Sequence, residues 1–424
     1  MIYANYAATT HVLSPVVVKE LRDYVSAAHL NAARNFEGLE AGAITLRARR
    51  AVAKLFGVAD PLRVILTSGA TQSLNMAING LASPGDHVLA TSVEHNATAR
   101  PLECLRKCGA IELDWLRCEP DGSLDPQTVR KAIRKNTKLL VMTHASNVLG
   151  TILPVAECFT IAREYGIRTI LDAAQTASGT FSIAFDKSAL GASSLAFDKR
   201  RAIQAEGGAS EDGGSGSGGS ERAGPGAAET DLGGCCDVMA FTGHKGLGGL
   251  AGSGGFVIGE DAAAAMRPWI RGGTGSVSDS LDMPEFLPDK FEPGTQNTIG
   301  ALGIAVSIEE ILRGVVEKIR EHECKLTARF IAGLRTMKKI TIYGTGDAAR
   351  SVALVSIVVE GYDAGDLSRQ LFEKHGIITR SGLHCAPLAH MTAGTYPSGA
   401  VRFSFGSGTT EGDIDTMLLS LARI

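Results

Sequence analysis

Short runs of apolar, mostly β-branched residues recur along the chain from residue 63 onward, with helical segments between them. Four such runs are "RVILT" at 63–67, "HVLAT" at 87–91, "KLLVMTH" at 138–144 and "IRTILDAA" at 167–174. They do not alternate polar and apolar residues, as half-exposed strands would. The pattern predicts an α/β fold with a mostly parallel sheet flanked by helices, whose binding groups lie at the carboxyl ends of the strands.

The pattern changes near residue 300. A long helical stretch is expected from about Ile299 to Met337, followed by short strands, a helix near 364–375 and a last helix from Thr410. This order predicts a smaller C-terminal α+β domain. We therefore expect a large domain at 16–298 and a small domain at 299–424, to which the N-terminal segment 1–15 also belongs.

Residues 199–234 interrupt the large domain with a segment rich in glycine, serine, alanine and glutamate. Such a composition buries too little apolar surface to offset the entropy of ordering, so the segment is expected to be a disordered insertion. Two interpretations stay open: an insertion that is merely tolerated, or one with a regulatory role.

Composition excludes several classes of protein. The 424 residues carry a net charge of −3, and no basic run of the nucleic-acid-binding type is present. No apolar stretch is long enough to span a bilayer, and the N-terminus lacks signal-peptide features, so a cytoplasmic protein is expected. The eight cysteines are not spaced as zinc ligands, which predicts thiols and no metal site.

One lysine stands at the end of an apolar strand, in the glycine-rich stretch "FTGHKGLGG" at 241–249. Burial there would lower the pKa of Lys245 and make its amine a better nucleophile. Three further strand ends offer a helix start in "TSGATQSLN", a carboxylate at Asp172 and an imidazole at His95. A reactive amine, a phosphate cradle, an acid and a ring-stacking group together are what pyridoxal phosphate needs.

The chain resembles the class V aminotransferase-type pyridoxal phosphate enzymes of fold type I. It is most similar to the cysteine desulfurases, in the subgroup with the shorter loop that resembles selenocysteine lyase. The resemblance runs nearly end to end outside the insertion. It is carried by "YANYAATT" (3–10), "TSGATQSLN" (67–75), "EHNATARPL" (94–102), "HASNVLGT" (144–151), "DAAQTA" (172–177), "FTGHKGLGG" (241–249), "RGGTGS" (271–276), "FEPGTQN" (291–297) and "RSGLHCAPLAH" (380–390).

The resemblance implies a role for each matching residue. Lys245 would form the Schiff base with the cofactor, Asp172 would pair with the pyridine nitrogen, and His95 would stack on the ring and move protons. Gln175 would bond the phenolic oxygen of the ring. The phosphate would be held by Ala70, Thr71, Thr242 and His244, and by Thr274 or Thr295 of a neighbouring subunit.

A second chemical centre is expected at Cys385. Arg380 and His384 are close to it in sequence, and both could favour its thiolate. The resemblance implies that this thiolate takes the sulfur of the substrate as a persulfide. It also implies that Asn147, Arg380 and Arg402 bind the substrate, Arg402 as a fork on the carboxylate.

The expected activity is that of an L-cysteine desulfurase, which yields alanine and a persulfide on Cys385 for a sulfur-acceptor protein. The expected assembly is a homodimer with shared sites. The alternatives that keep the cofactor are a selenocysteine lyase, another carbon–sulfur lyase or a plain aminotransferase. A non-catalytic sulfur-relay scaffold is a further alternative, which the presence of Lys245 and Asp172 disfavours.

Overall fold

The computed structural model describes residues 1–26, 38–178 and 236–424, without the side chains of 38–41 and 315–317. The strands are β1 (Ile2–Tyr3), β2 (Val64–Thr67), β3 (Asp86–Thr91), β4 (Ile111–Leu116), β5 (Thr137–Thr143), β6 (Arg168–Asp172), β7 (Val238–Thr242), β8 (Gly254–Ile258), β9 (Ile340–Tyr343), β10 (Leu354–Val359), β11 (Ile377–Ile378), β12 (Arg380–Gly382) and β13 (Ala400–Ser404). The insertion predicted at 199–234 lies outside the described residues.

The helices cover the sheets and connect the strands. They are α1 (Pro15–Ser26), α2 (Gly38–Leu55), α3 (Ala70–Leu81), α4 (Asn96–Lys107), α5 (Gln127–Ala132), α6 (Val155–Glu164), α7 (Glu260–Ala265), α8 (Thr298–Glu310), α9 (Val316–Leu334), α10 (Ala364–His375), α11 (Pro387–Ala393) and α12 (Glu411–Leu421). Within the described ranges, no helix combines the length and the apolar character that crossing a membrane requires.

The large sheet has the strand order β2-β8-β7-β6-β5-β3-β4, and in the described part of it only β8 runs antiparallel. Both of its faces are buried. Leu140 and Leu171 pack on one face against Phe56, whereas their chain neighbours Val141 and Ile170 pack on the other. Each such side chain contributes about 1.5–3 kcal/mol of burial free energy. The predicted α/β fold with a mostly parallel sheet is confirmed.

The small sheet is antiparallel, in the order β12-β13-β10-β9. The N-terminal segment joins this half of the molecule, because β1 pairs with β11 and the Ala4 carbonyl accepts a hydrogen bond from the Ser404 N–H at 2.9 Å. Ala4 also belongs to the apolar cluster built by Phe330, Phe403 and Ile414. The domain boundaries themselves stay a prediction.

The expectation of one long helical stretch from Ile299 to Met337 is wrong in one respect. The chain forms α8 and α9 with a π-helical turn, Ile311–Val315, between them. Gly314 in this turn has a φ of 102°, which no residue of a continuous right-handed helix adopts. The glycine therefore ends one helix and lets the next begin in a new direction.

Candidate active site

A cavity of about 160 Å³ lies at the carboxyl edge of the large sheet. Its lining combines strand ends with the first turns of two helices, as expected for an open parallel sheet. The structure brings the following predicted residues together there: Ala70, Thr71, His95, Asn147, Asp172, Gln175, Thr242, His244 and Lys245. The geometry that the sequence predicted for one end of the sheet is therefore present, and the roles of the residues stay predictions.

One end of the cavity is the start of α3. Gly69 precedes the helix with a φ of 144°, and no side chain caps the helix. This φ lies in a region that residues with a side chain rarely adopt, so the backbone conformation favours glycine at position 69. The first turn of α3 thus turns uncapped N–H groups toward the cavity, which is the arrangement that favours an anion.

The other end of the cavity holds an acid and an amine. Asp172 ends β6, is buried, and accepts a hydrogen bond from the Ala174 N–H at 2.9 Å. Burial raises the pKa of the Asp172 carboxyl, whereas the Ala174 N–H and the Lys245 charge lower it. Because β6 and β7 are adjacent and parallel, the carboxyl and the amine share one edge of the sheet.

Lys245 follows β7 and is held in a poorly hydrated position. Burial lowers the pKa of its amine to about 8. The Asp172 carboxylate opposes this shift, and the positive charges of Arg402 and Arg380 add to it. Near neutral pH, a larger fraction of such an amine is unprotonated than of an ordinary lysine, which makes it a better nucleophile.

His95 caps α4 with its side chain. Its Nδ1 accepts a hydrogen bond from the Ala97 N–H at 3.0 Å, so the neutral ring carries its proton on Nε2. Burial and, to a smaller extent, the nearby positive charge of Lys245 together lower the pKa of His95 to about 4. The ring is therefore neutral at physiological pH, as a ring that stacks on an aromatic cofactor would be.

The N-terminal segment lies along the cavity. The Gln175 amide donates to the Ala7 carbonyl at 3.1 Å, and the His244 Nδ1 lies 3.1 Å from the Thr9 hydroxyl. The His244 carbonyl also accepts the Thr10 N–H at 2.7 Å. Residues from the other half of the molecule thus fix two groups that flank Lys245.

Arg402 is a buried cation that lacks an acidic partner among the described residues. Its Nη1 donates to the Asn147 carbonyl at 2.7 Å, and its Nη2 donates to the Asn5 side chain at 3.3 Å. Its Nε is buried without a hydrogen-bond partner. Burial lowers the pKa of Arg402 to about 9, and the charge of Arg380 contributes. An incoming carboxylate would accept a hydrogen bond from this Nε–H and would pair with the buried charge.

Cys385 lies in the turn between β12 and α11. His384 and Cys385 have φ values of 50° and 56°, which are left-handed and unusual for residues other than glycine. The thiol is exposed, and the Arg380 Nη2 lies 3.6 Å from its sulfur. Because β12 and β13 pair Arg380 directly with Arg402, the guanidinium beside the thiol and the buried guanidinium lie on neighbouring strands.

The expectation that His384 favours the thiolate is wrong. Its Nε2 lies 3.1 Å from the Arg380 carbonyl, which can only accept, so Nε2 carries the proton. Its Nδ1 then accepts from His390, whose other nitrogen accepts from the Thr395 hydroxyl at 2.7 Å. Burial lowers the pKa of His384 to about 3. A neutral ring with both nitrogens engaged supports the turn and supplies no charge to Cys385.

Thr274 and Thr295 do not line the cavity that contains Lys245. The Thr274 hydroxyl bonds within its own loop, to Ser276 at 3.0 Å, and Thr295 lines a separate cavity of about 180 Å³ beside Ser68 and Gln72. Their predicted contact is with a second subunit, so it stays a prediction.

Three residues near the site were missed by sequence reasoning: Asn5, Glu94 and Asn96. Asn5 meets Arg402, as described above. Glu94 is fully buried, its Oε1 accepts from the Thr91 hydroxyl at 2.5 Å and the Thr143 N–H at 2.7 Å, and burial raises its pKa to about 8. All three stand inside stretches that carry the family resemblance. Their partners Arg402, Thr143 and Cys385 come from distant parts of the chain and leave no local signal.

The model of the aminotransferase class-V family matches residues 2–199 and 231–417. The chain belongs to this family. The unmatched residues 200–230 fall within the predicted insertion. The family resemblance stated from the sequence is confirmed.

Relatives within the class-V family share the chain's full length. A probable cysteine desulfurase of Methanothermobacter thermautotrophicus is 27% identical, over 100% of this chain and 94% of the relative. A probable cysteine desulfurase of Pseudomonas aeruginosa is 29% identical, over 99% and 93%. The apo structure of a cysteine desulfurase from Thermococcus onnurineus NA1 superposes with a TM-score of 0.81 at 26% identity, over 100% of this chain and 94% of that one.

Proposed function

We propose that this chain is a pyridoxal 5′-phosphate-dependent L-cysteine desulfurase that forms L-alanine and a persulfide on Cys385. The class-V family and the names of its relatives support this activity. The observation that carries it is the closeness of two chemical groups. The Asn96 N–H donates to the Cys385 carbonyl at 2.7 Å, and Asn147, which lines the cavity together with Lys245, donates to the His384 carbonyl at 2.8 Å. The turn that carries the thiol therefore borders the cavity that holds the lysine.

The side chains of the cavity fit the cofactor. The uncapped start of α3 suits its phosphate, Asp172 suits a protonated ring nitrogen, and Lys245 suits its aldehyde. When bound, pyridoxal phosphate supplies an aldehyde for amines and a ring that withdraws electrons from the α-carbon of the substrate. The neutral ring of His95 would cover the cofactor face, and Gln175, Thr242 and His244 would complete its polar contacts.

Arg402 would orient the substrate, because its open Nε is a donor for the α-carboxylate. Lys245 would move the α-proton. The Cys385 thiolate, beside Arg380, would attack the sulfur of the bound cysteine, so that an S–S bond forms and the carbon–sulfur bond breaks. The β-carbon keeps the bonding electrons and takes a proton, which gives alanine. The sulfur stays on Cys385 as a persulfide, and no external oxidant is needed.

We also propose a homodimer and a sulfur-acceptor protein as partners. The loop that carries Thr274 exposes large apolar side chains, among them Trp269, Leu281 and Phe286. Clustered exposed apolar residues are typical of protein interfaces. In a dimer, Thr274 or Thr295 would reach the phosphate site of the second subunit. The domain division and the cytoplasmic location stay predictions.

The activity is tested by loading the purified protein with pyridoxal phosphate and quantifying alanine after addition of L-cysteine or L-selenocysteine. We expect alanine from L-cysteine with wild type and with Cys104→Ala, which removes another exposed thiol, and none with Cys385→Ala. Turnover that needs an oxo-acid and persists in Cys385→Ala would identify an aminotransferase instead. Alanine from selenocysteine alone would identify a selenocysteine lyase.

A further inference from the structure

The turn that carries Cys385 needs support from outside itself. His384 and Cys385 are two consecutive non-glycine residues in the left-handed region, each of which costs conformational free energy. Such a conformation persists only when surrounding contacts hold it in place. The question is which groups hold the turn, since they also fix where the sulfur stands.

Two donors bind the two carbonyls of the strained residues. The Asn96 N–H, at the first position of α4, donates to the Cys385 carbonyl at 2.7 Å. The Asn147 Nδ2 donates to the His384 carbonyl at 2.8 Å. One donor therefore comes from the helix that His95 caps, and the other from a residue lining the cavity.

The orientation of the Asn147 amide follows from chemistry. A backbone carbonyl only accepts hydrogen bonds, so the amide nitrogen must face His384 and the oxygen must point away. That oxygen, Oδ1, is buried without a partner. The amide nitrogen carries two N–H groups, so Asn147 holds the His384 carbonyl with one and keeps the other for a carboxylate.

Asn147 also touches the guanidinium of the site. Its backbone carbonyl accepts a hydrogen bond from the Arg402 Nη1 at 2.7 Å. One residue thus connects the cation expected to bind the substrate with the turn expected to receive its sulfur. Asn147 therefore holds the Arg402 guanidinium and the Cys385 turn in fixed positions relative to each other.

We propose that the Asn96 N–H and the Asn147 side chain form a clamp that holds the Cys385 turn in its sulfur-accepting position. Asn147 then acts on the turn through one amide N–H, and its other N–H stays available for the substrate. This inference rests on the proposed function for the identity of the transferred group. The clamp itself is a property of the chain and has a readout that does not require activity.

Asn96→Pro tests the first half of the clamp with little other change. Proline suits the first position of a helix, where its missing N–H is ordinarily unpaired. The preceding His95 has φ −73° and ψ 156°, which a following proline tolerates. Asn96→Ala, which retains the N–H, is the reference. Glu260→Pro, at the first position of α7, is the matched control for a proline at a helix start.

The first readout is hydrogen exchange of the turn. The Ala386 N–H donates to the Leu383 carbonyl at 2.8 Å, so its exchange reports opening of the turn. Relative to Asn96→Ala, we expect Asn96→Pro to speed this exchange about tenfold, as loss of one buried hydrogen bond implies. We expect Glu260→Pro to leave it at the wild-type rate. Equal exchange in Asn96→Pro and Asn96→Ala overturns the clamp.

Asn147→Ala removes the other donor of the clamp and should speed the same exchange about tenfold. Unchanged exchange in Asn147→Ala overturns the part of Asn147 in the clamp.

The second readout separates positioning from substrate binding in Asn96→Pro, with Asn96→Ala as the reference. L-Alanine carries the carboxylate and amine of the substrate but no sulfur, and its binding is followed by the absorbance of the loaded enzyme. We expect persulfide formation on Cys385 to slow about tenfold while L-alanine affinity changes less than about twofold. A tenfold loss of L-alanine affinity with normal exchange of the turn overturns the inference. If wild type forms neither alanine nor persulfide, the proposed function fails, while the exchange experiment still decides the clamp.

Discussion

The two chemical centres of this chain are built in different ways. Asp172 and Lys245 stand at or just beyond the ends of adjacent parallel strands, so regular secondary structure alone brings them together. Cys385 stands on a strained turn of the small antiparallel sheet, held by contacts from the other half of the molecule. The difference indicates two separate roles. Regular strand ends position the groups that would bind the cofactor, and a strained turn positions the thiol that would accept the sulfur. Changes in one centre should therefore be separable from changes in the other.

The strongest test of that separation removes the amine. Lys245→Ala should abolish alanine formation by more than about a thousandfold, because the covalent hold on the cofactor and the proton transfer are both lost. The Cys385 turn should be unaffected, with hydrogen exchange at Ala386 as in wild type. The control is Lys107→Ala at the exposed end of α4. Residual turnover close to wild type would show that Lys245 is not the reactive amine.

Removing the Cys385 thiol should leave the cofactor-binding centre of Asp172 and Lys245 intact. Cys385→Ser should lower sulfur transfer more than about a hundredfold, since a hydroxyl is a far weaker nucleophile toward sulfur. The absorbance change on L-alanine binding should persist, because it depends on the cofactor and on the centre of Asp172 and Lys245. Stopped-flow absorbance and alanine quantitation measure the two effects. Loss of both would mean that the centres are not independent.

Arg402→Lys probes the cation between the centres. Lysine cannot reproduce the three-sided contact with Asn147, Asn5 and an incoming carboxylate, so KM for L-cysteine should rise about tenfold. Asn5→Ala should raise KM less, since it removes only a 3.3 Å contact. Steady-state kinetics with both variants gives the comparison. An unchanged KM in Arg402→Lys would remove the arginine from substrate binding.

The smallest effect concerns Glu94, the buried residue that precedes His95 in the chain. Burial raises the pKa of Glu94 from 4.5 to about 8, so between these values the folded state holds a proton that the unfolded state has released. The contribution of Glu94 to stability therefore falls as pH rises from about 5 to 8, by at most about 1.4 kcal/mol per pH unit.

Glu94→Gln does not titrate and keeps an oxygen for the Thr91 hydroxyl and the Thr143 N–H. Its stability relative to wild type should therefore improve as pH increases, with no effect on the Cys385 turn. Urea unfolding at pH 5 and pH 8 measures the difference. A difference that does not change with pH would show that Glu94 is ionised in the fold.

Much of the cofactor-binding centre could be predicted from the sequence because the sequence patterns that indicate it are local. The apolar runs predict β5 and β6. The residue at the end of a buried parallel strand lies at the carboxyl edge of the sheet. The same holds for Lys245 after β7, and for the glycine-led start of α3. The fold and the family were accordingly recovered, whereas the helix break at Gly314 was missed because a single glycine within a helical pattern is ordinarily tolerated.

The sulfur centre was less predictable because its geometry is tertiary. Sequence proximity suggested that His384 acts on Cys385, but the imidazole is turned away to support the backbone through Arg380 and His390. The amide of Asn147 was expected to bind the substrate, which stays a prediction, and nothing in the sequence indicated that one of its N–H groups bonds a carbonyl 237 residues away. Hydrogen bonds across such separations leave no pattern in the chain.

The most direct test of two cooperating centres is the mass of the cysteine-containing peptides after brief exposure of the loaded enzyme to L-cysteine. The account predicts that the Cys385 peptide gains one sulfur atom in wild type and none in Lys245→Ala. It also predicts that the peptide with the exposed Cys104 and Cys108 stays unmodified in both. Sulfur on those thiols instead of Cys385, or sulfur on Cys385 without Lys245, would contradict it.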